Sequence, residues 1–220
     1  MRFMEKAVQC LQSARFFTMK SFLILDNNEN IPWSNGYGIQ YLLRCTYFET
    51  ASIWYINTID HVFQAVYWAY QLYTSAIENG KPYNQDWTYS KIASNCSCRF
   101  VTKELKIRKL TNIENILNKC LKKTKEIRKW ANDIKHRGGV EQKYLEADNP
   151  LPLLLEQAPF LSEVFKDIEH LDNEFKALDA VEIDKDVIKL EQAYQDIFNC
   201  ITDVIQLINY EQYKYTGSET

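Results

Sequence analysis

The sequence predicts an all-α fold, an up-and-down bundle of long helices, and two observations favour it. Gly and Pro are scarce, with 6 and 5 in 220 residues, so there are few places where a helix must end. Apolar residues recur at steps of three and four over long stretches, which is the spacing of one helical face. A chain of this length can bury a sizeable core, and we expect a single domain over residues 1–220.

Four segments carry this helical spacing: residues 2–20, 39–78, 102–136 and 184–210. The second contains neither Gly nor Pro, and unbroken it would be about 60 Å long, so a kink or break is expected within it. Asn79-Gly80-Lys81-Pro82 is the expected end of that helix, because Gly and Pro favour helix termination. We also expect a break in the third helix near Thr111 and a short helix over residues 86–96.

Residues 140–183 are predicted to form an irregular insertion between the last two long helices. Pro150, Pro152 and Pro159 favour loops there. Apolar and charged residues alternate over residues 175–183, which allows a short strand or hairpin.

Charge is distributed unevenly along the chain. Residues 1–98 have no net charge, residues 99–137 carry 13 basic and 4 acidic side chains, and residues 138–220 carry 6 basic and 18 acidic ones. Such asymmetry indicates either contact with a polyanion or internal pairing of the basic helix with the acidic last third.

The cysteine pattern favours reduced thiols and a cytoplasmic protein without a metal or other cofactor. The only close pair, Cys96 and Cys98, is spaced more tightly than the Cys-x2-Cys unit of structural zinc sites, and only three histidines are present. No apolar run reaches the roughly 18 residues of a membrane-spanning helix, so no membrane association is expected.

The basic end of the third long helix, just before a pair of glycines, is the most informative stretch. Asn132 and His136 are four residues apart and share a helical face. The basic residues that flank them are Arg128, Lys135 and Arg137. An imidazole can act as general acid or base near neutral pH while a cation holds a phosphate, as metal-independent RNA cleavage requires. The alternative is that these cations only satisfy the carbonyls of a helix C-terminus.

Asn132, His136 and the Arg-Gly that follows resemble the motif region of HEPN domains. These are all-helical bundles that include dimeric RNases, toxins of toxin–antitoxin pairs and non-catalytic members. The family motif is an arginine, then four to six residues, then a histidine, often with a polar residue just after the arginine. Here Ala131 stands at the tightest arginine position, Lys129 at the loosest, and Arg128 one residue beyond it.

The resemblance implies association with RNA or a nucleotide in a toxin or defence role, a homodimer, and a partner protein such as an antitoxin. For an active enzyme it implies a metal-independent RNase with His136 and Asn132 as catalytic residues. The displaced arginine leaves catalysis open, because alanine cannot orient a phosphate and lysine lacks the bidentate fork. The other interpretation is a non-enzymatic protein-interaction module that docks a partner through its acidic last third and its aromatic helix.

The second long helix offers further candidates. Asn57, His61 and Gln64 share one face. Asn57 and His61 either face His136 across a cleft or make hydrogen bonds between helices in the core. The many aromatic residues of the same helix lack interleaved Lys or Arg, which favours a core or an interface over base stacking.

Overall fold

The computed structural model describes residues 2–22, 36–78, 81–84, 88–140 and 181–208. In this part of the chain the fold is an all-α bundle, which confirms the predicted class. No described helix combines the length and the apolar character that crossing a membrane requires. The insertion expected at residues 140–183 falls almost wholly outside the described residues.

Within these ranges the helices are α1 (Arg2–Ser21), α2 (Gly36–Ala69), α3 (Tyr89–Ser94), α4 (Cys98–Ile107), α5 (Thr111–Lys123), α6 (Lys125–Arg137) and α7 (Ile183–Leu207). A 3-10 turn over Leu72–Ser75 and a hairpin of two short antiparallel strands, β1 (Ile77–Glu78) and β2 (Lys81–Pro82), follow α2. α1 and α7 begin within two residues of the predicted starts.

α1 and α2 pack against each other in antiparallel orientation. Ala7 and Ala14 are fully buried on α1, and such small side chains let the two backbones approach closely. Near the end of α1 the hydroxyls of Thr18 and Tyr55 share a hydrogen bond of 3.1 Å. One turn further on, Arg44 Nε donates to the carbonyl oxygen of Ser21 at 2.7 Å. The end of α1 therefore lies beside the first half of α2.

α7 completes the core by packing across α1, α2 and α5. Its buried face consists of Ile183, Val187, Leu190, Ala193, Ile197, Cys200, Ile201 and Val204. Burial of each large aliphatic side chain contributes about 1.5–3 kcal/mol. At its start, Asp184 Oδ1 pairs with Arg44 Nη2 at 2.6 Å, which joins α7 to α2.

Four large aromatic residues of α2 lie in this core. Phe48, Tyr55, Phe63 and Tyr67 are each at most 2% exposed. The Phe48 ring lies 4.9 Å from that of Trp130 on α6, centroid to centroid. The core interpretation is thus confirmed for Tyr55 and Tyr67, whereas Tyr47, Trp54 and Trp68 are half-buried.

α2 ends at Ala69, so the prediction that it continues to residue 78 is wrong. Arg108, which directly follows α4, donates hydrogen bonds to the residues that follow the end of α2. Its acceptors are the carbonyl oxygens of Tyr70 (3.0 Å) and Gln71 (3.3 Å) and the hydroxyls of Thr74 (2.9 Å) and Ser75 (2.8 Å). Gln71 adopts a left-handed backbone with φ 49°. The guanidinium thus replaces the hydrogen bonds that a continuing helix would have made.

The predicted basic helix over residues 102–136 is three helices, α4, α5 and α6. The break expected near Thr111 is confirmed, and Lys109 there has φ 57°, a left-handed conformation that ends α4. The second break, at Thr124, was not predicted. The Thr124 hydroxyl donates to the carbonyl oxygen of Cys120 at 2.8 Å within a fully buried site. α3 is shorter than the predicted residues 86–96 and is capped by the side chain of Thr88.

Arg108→Ala is expected to lower the free energy of unfolding by about 1–2 kcal/mol, because hydrogen bonds from a charged group to half-buried and exposed acceptors are lost. Urea denaturation followed by circular dichroism measures the change. Lys106→Ala, an exposed site on the same helix, is the matched control and should change stability by less than about 0.5 kcal/mol. Equal effects for the two variants would contradict the role given to the Arg108 guanidinium.

Candidate functional site

The polar face of α6 points away from the core. Ile127, Trp130 and Ala131 are buried against α2, which turns the opposite side of the helix outward. Asn132, Lys135 and His136 are exposed and Arg128 is half-buried, whereas the Arg137 side chain is outside the described residues. The candidate imidazole and amide are therefore open to solvent.

The end of α6 is held by two backbone contacts. Gly138 has φ 86°, and its N–H donates to the carbonyl oxygen of Ile134 at 3.2 Å, which ends the helix as predicted. Beyond it, the N–H of Val140 donates to Glu49 Oε1 on α2 at 3.0 Å. A Cβ at Gly139 would lie 3.1 Å from the same oxygen. The chain leaving the candidate site is thus anchored closely to α2.

α2 contributes a polar stripe beside α6. Asn57, His61 and Gln64 are half-buried there and Asp60 is exposed. His61 Nδ1 lies 2.9 Å from Gln64 Oε1. With that oxygen as acceptor, Nδ1 donates, and the neutral imidazole keeps Nε2 as its basic nitrogen. Among the described contacts, none joins Asn57 or His61 directly to His136.

Asp60 links the stripe to the basic side of α6. Desolvation by the surrounding helices raises the pKa of the Asp60 carboxyl, although part of its surface is open to solvent. The positive charges of Lys135, His61 and Arg128 lower that pKa in part. The carboxyl therefore lies close enough to these three groups to sense them. We call these residues the α2–α6 polar surface: Asn57, Asp60, His61, Gln64, Arg128, Asn132, Lys135 and His136.

Two half-buried thiols lie near this surface. Burial raises the pKa of Cys96 to about 12 and that of Cys98 to about 11, with a further increase from Asp60 in both cases. Arg128 acts in the opposite direction on Cys98. Both thiols therefore remain protonated near neutral pH, which slows their reaction as nucleophiles.

The α2–α6 polar surface suits anion binding with proton transfer. A guanidinium and an ammonium provide positive charge, and two imidazoles and a carboxyl can exchange protons. No group of three or more His, Cys, Asp or Glu side chains among the described residues could hold a metal ion. No protein-family model, curated protein or solved structure matches the chain.

Asp60→Asn is expected to raise the free energy of unfolding at neutral pH and to leave it unchanged at about pH 3. Because folding raises the pKa of this carboxyl, its contribution to stability is present at low pH and is lost as pH rises through the folded-state pKa. An amide does not titrate and avoids that loss.

Urea denaturation of wild type and variant at both pH values measures the difference. A variant that is less stable than wild type only at neutral pH would show that attraction to Lys135 and Arg128 outweighs desolvation of Asp60.

Proposed function

We propose that this chain is a HEPN-like helical protein of the toxin or defence type that binds RNA or a nucleotide on the α2–α6 polar surface. The observation that carries the proposal is the solvent-facing last turn of α6, where His136 and Asn132 lie beside Lys135. The homodimer and the antitoxin partner rest on the resemblance alone.

The position of Arg128 on α6 supports this proposal. Ala131 is fully buried against the core, so no side chain there could reach a bound phosphate. Arg128, Asn132 and His136 follow one another at steps of four, which places all three on one face of α6. Arg128 therefore supplies a guanidinium on the same side as the histidine, although outside the family spacing.

The same spacing favours binding over cleavage. Residues 128 and 136 are separated by about 12 Å along the helix axis, and helical side chains lean toward the N-terminus, so Arg128 extends away from His136. Two groups that act on one phosphate must each come within about 3 Å of it. Contacts to successive phosphates of one strand fit this arrangement better than a single catalytic centre.

The described ion pairs leave this face available. α5 contributes Lys123, which pairs with Asp196 on α7. α6 contributes an acid, Glu126, whose carboxylate lies 2.9 Å from Lys189 Nζ. Neither contact involves Arg128, and both lie on the side of the bundle that packs on α7. The described ion pairs with α7 therefore neutralise charges where α5 and α6 pack on α7, and not on the proposed binding face.

A non-enzymatic protein-interaction module is the second candidate, and exposed apolar side chains on α1 favour it. Phe16 is 53% exposed and Met19 is 60% exposed, near the end of that helix. Apolar groups exposed together commonly contact a partner. This candidate replaces the first one if the RNA-binding test that follows fails.

Arg128→Ala and Lys135→Ala are each expected to weaken binding of single-stranded RNA and to reduce the slope of log affinity against log salt by about 0.7, because each removes one phosphate contact. A filter-binding titration between about 50 and 200 mM salt measures both quantities. Lys106→Ala, an exposed lysine on α4, is the charge-matched control. Absence of RNA retention by wild type at the lowest salt concentration would reject the proposal.

His136→Ala is expected to abolish any cleavage of RNA by the purified protein in the presence of a chelator, a loss of at least about 100-fold, because a general acid–base group is removed. RNA affinity should change far less than the cleavage rate. His61→Ala tests the other imidazole of the surface. Cleavage unchanged in both variants would assign the activity to another source.

A further inference from the structure

A small cleft lies where α5 packs against α7. Its volume is about 40 Å³, and its lining includes Lys119, Cys120, Lys123, Asp196, Cys200 and Asp203. A space of this size holds one or two molecules as small as water. Cys120 is 4% exposed and Cys200 is 5% exposed, so the cleft brings two nearly buried thiols into contact with small solutes.

The register of the two helices places these thiols opposite each other. Lys123 of α5 pairs with Asp196 of α7. Cys120 lies one turn back along α5, Cys200 lies one turn forward along α7, and both line the same cleft, so the helices run antiparallel there and the cysteines face each other. The ion pair one turn away and the buried stripe of α7 hold this register.

The two thiols also interact electrostatically. The Cys120 thiol, together with burial, raises the pKa of the Cys200 thiol well above its usual range. Cys200 therefore keeps its proton near neutral pH. A pair arranged in this way contains one sulfur that can attack an oxidant and one that can resolve the product.

We propose that Cys120 and Cys200 form an oxidation site at which a small peroxide cross-links α5 to α7. Helix axes pack about 8–10 Å apart with Cα atoms about 2.3 Å from each axis, so facing Cα atoms lie about 3.5–5.5 Å apart. This range overlaps the roughly 4.4–6.8 Å that a disulfide spans. The bond forms without moving either helix far.

Oxidation of the two thiols by peroxide takes place in two steps. The Cys120 sulfur attacks one oxygen of hydrogen peroxide, an S–O bond forms, the O–O bond breaks, and the departing hydroxide takes the proton of the Cys120 thiol to become water. The Cys200 sulfur then attacks the sulfenic sulfur of Cys120, an S–S bond forms, the S–O bond breaks, and the hydroxyl leaves as water with the Cys200 proton. The two thiols are oxidised by two electrons, and one peroxide is reduced to two waters.

The size of the cleft determines which oxidants can reach the two thiols. Hydrogen peroxide is close to water in size, whereas oxidised glutathione is a peptide disulfide far larger than the space available. Peroxide is therefore expected to cross-link the folded protein, and oxidised glutathione at equal concentration is not. The Cys96 and Cys98 thiols, which are half-buried, are the competing pair.

The first test maps disulfides in the reduced wild-type chain after peroxide treatment, by non-reducing digestion and mass spectrometry. The expected product is a linked peptide pair containing Cys120 and Cys200, restored to thiols by dithiothreitol. The cross-link closes a loop of roughly eighty residues and should raise the thermal midpoint by at least about 5 °C. A disulfide that first involves Cys96 or Cys98, or overoxidised Cys120 beside reduced Cys200, would overturn the proposal.

Single substitutions distinguish the sulfur that reacts with peroxide from the sulfur that resolves the product. Cys200→Ser should accumulate sulfenic acid on Cys120, detected as a dimedone adduct when dimedone is added as the protein is unfolded in denaturant, and show no thermal shift with peroxide. Cys10→Ser removes a buried thiol of α1 and should leave the cross-link yield unchanged. Loss of the cross-link in Cys10→Ser, or a thermal shift that survives in Cys200→Ser, would assign the oxidation to other thiols. The wild-type map decides the matter even where a variant does not fold.

Discussion

The packing of α2 between α1 on one side and α6 and α7 on the others is the constraint on which the described fold depends. Each of these helices buries part of α2, and the residues that remain half-exposed form a narrow polar stripe with Asp60 and His61. Phe48 and Trp130 pack together where α2 and α6 meet. The electrostatics of the candidate site, above all the desolvation of Asp60, thus follow from the way the core is assembled.

The fold class follows from local features of the chain. Helical spacing and the scarcity of Gly and Pro suffice for α1 and α7, where one apolar face meets one core. The end of α2 could not be predicted in this way, because it depends on Arg108, which lies 37 residues beyond Gln71 in the sequence. The break at Thr124 was missed for a similar reason: the apolar stripe continues through it, and the buried hydroxyl bond appears only in the folded state.

The candidate site likewise combines features that local spacing predicts with features that depend on contacts between helices. The outward position of Asn132 and His136 follows from a helical face that ends at Gly138, and spacing alone predicts it. The placement of Asp60 beside Lys135 is a tertiary relation between two helices, and nothing in the order of residues indicates it. The position of Cys120 opposite Cys200 could not be predicted from the sequence either, because it depends on how α5 packs against α7, where an ion pair joins the two helices.

α7 is the last described helix in chain order, and it covers a core that α1 and α2 begin. During synthesis, the aromatic side of α2 emerges well before the segment that buries it. At about 5–20 residues per second, the interval amounts to roughly 6–30 s. In that time Tyr55, which lies close to Tyr194 of α7 in the folded protein, is open to holdase chaperones and proteases. Completion of the bundle is consequently a late event that awaits the synthesis of residues 183–207.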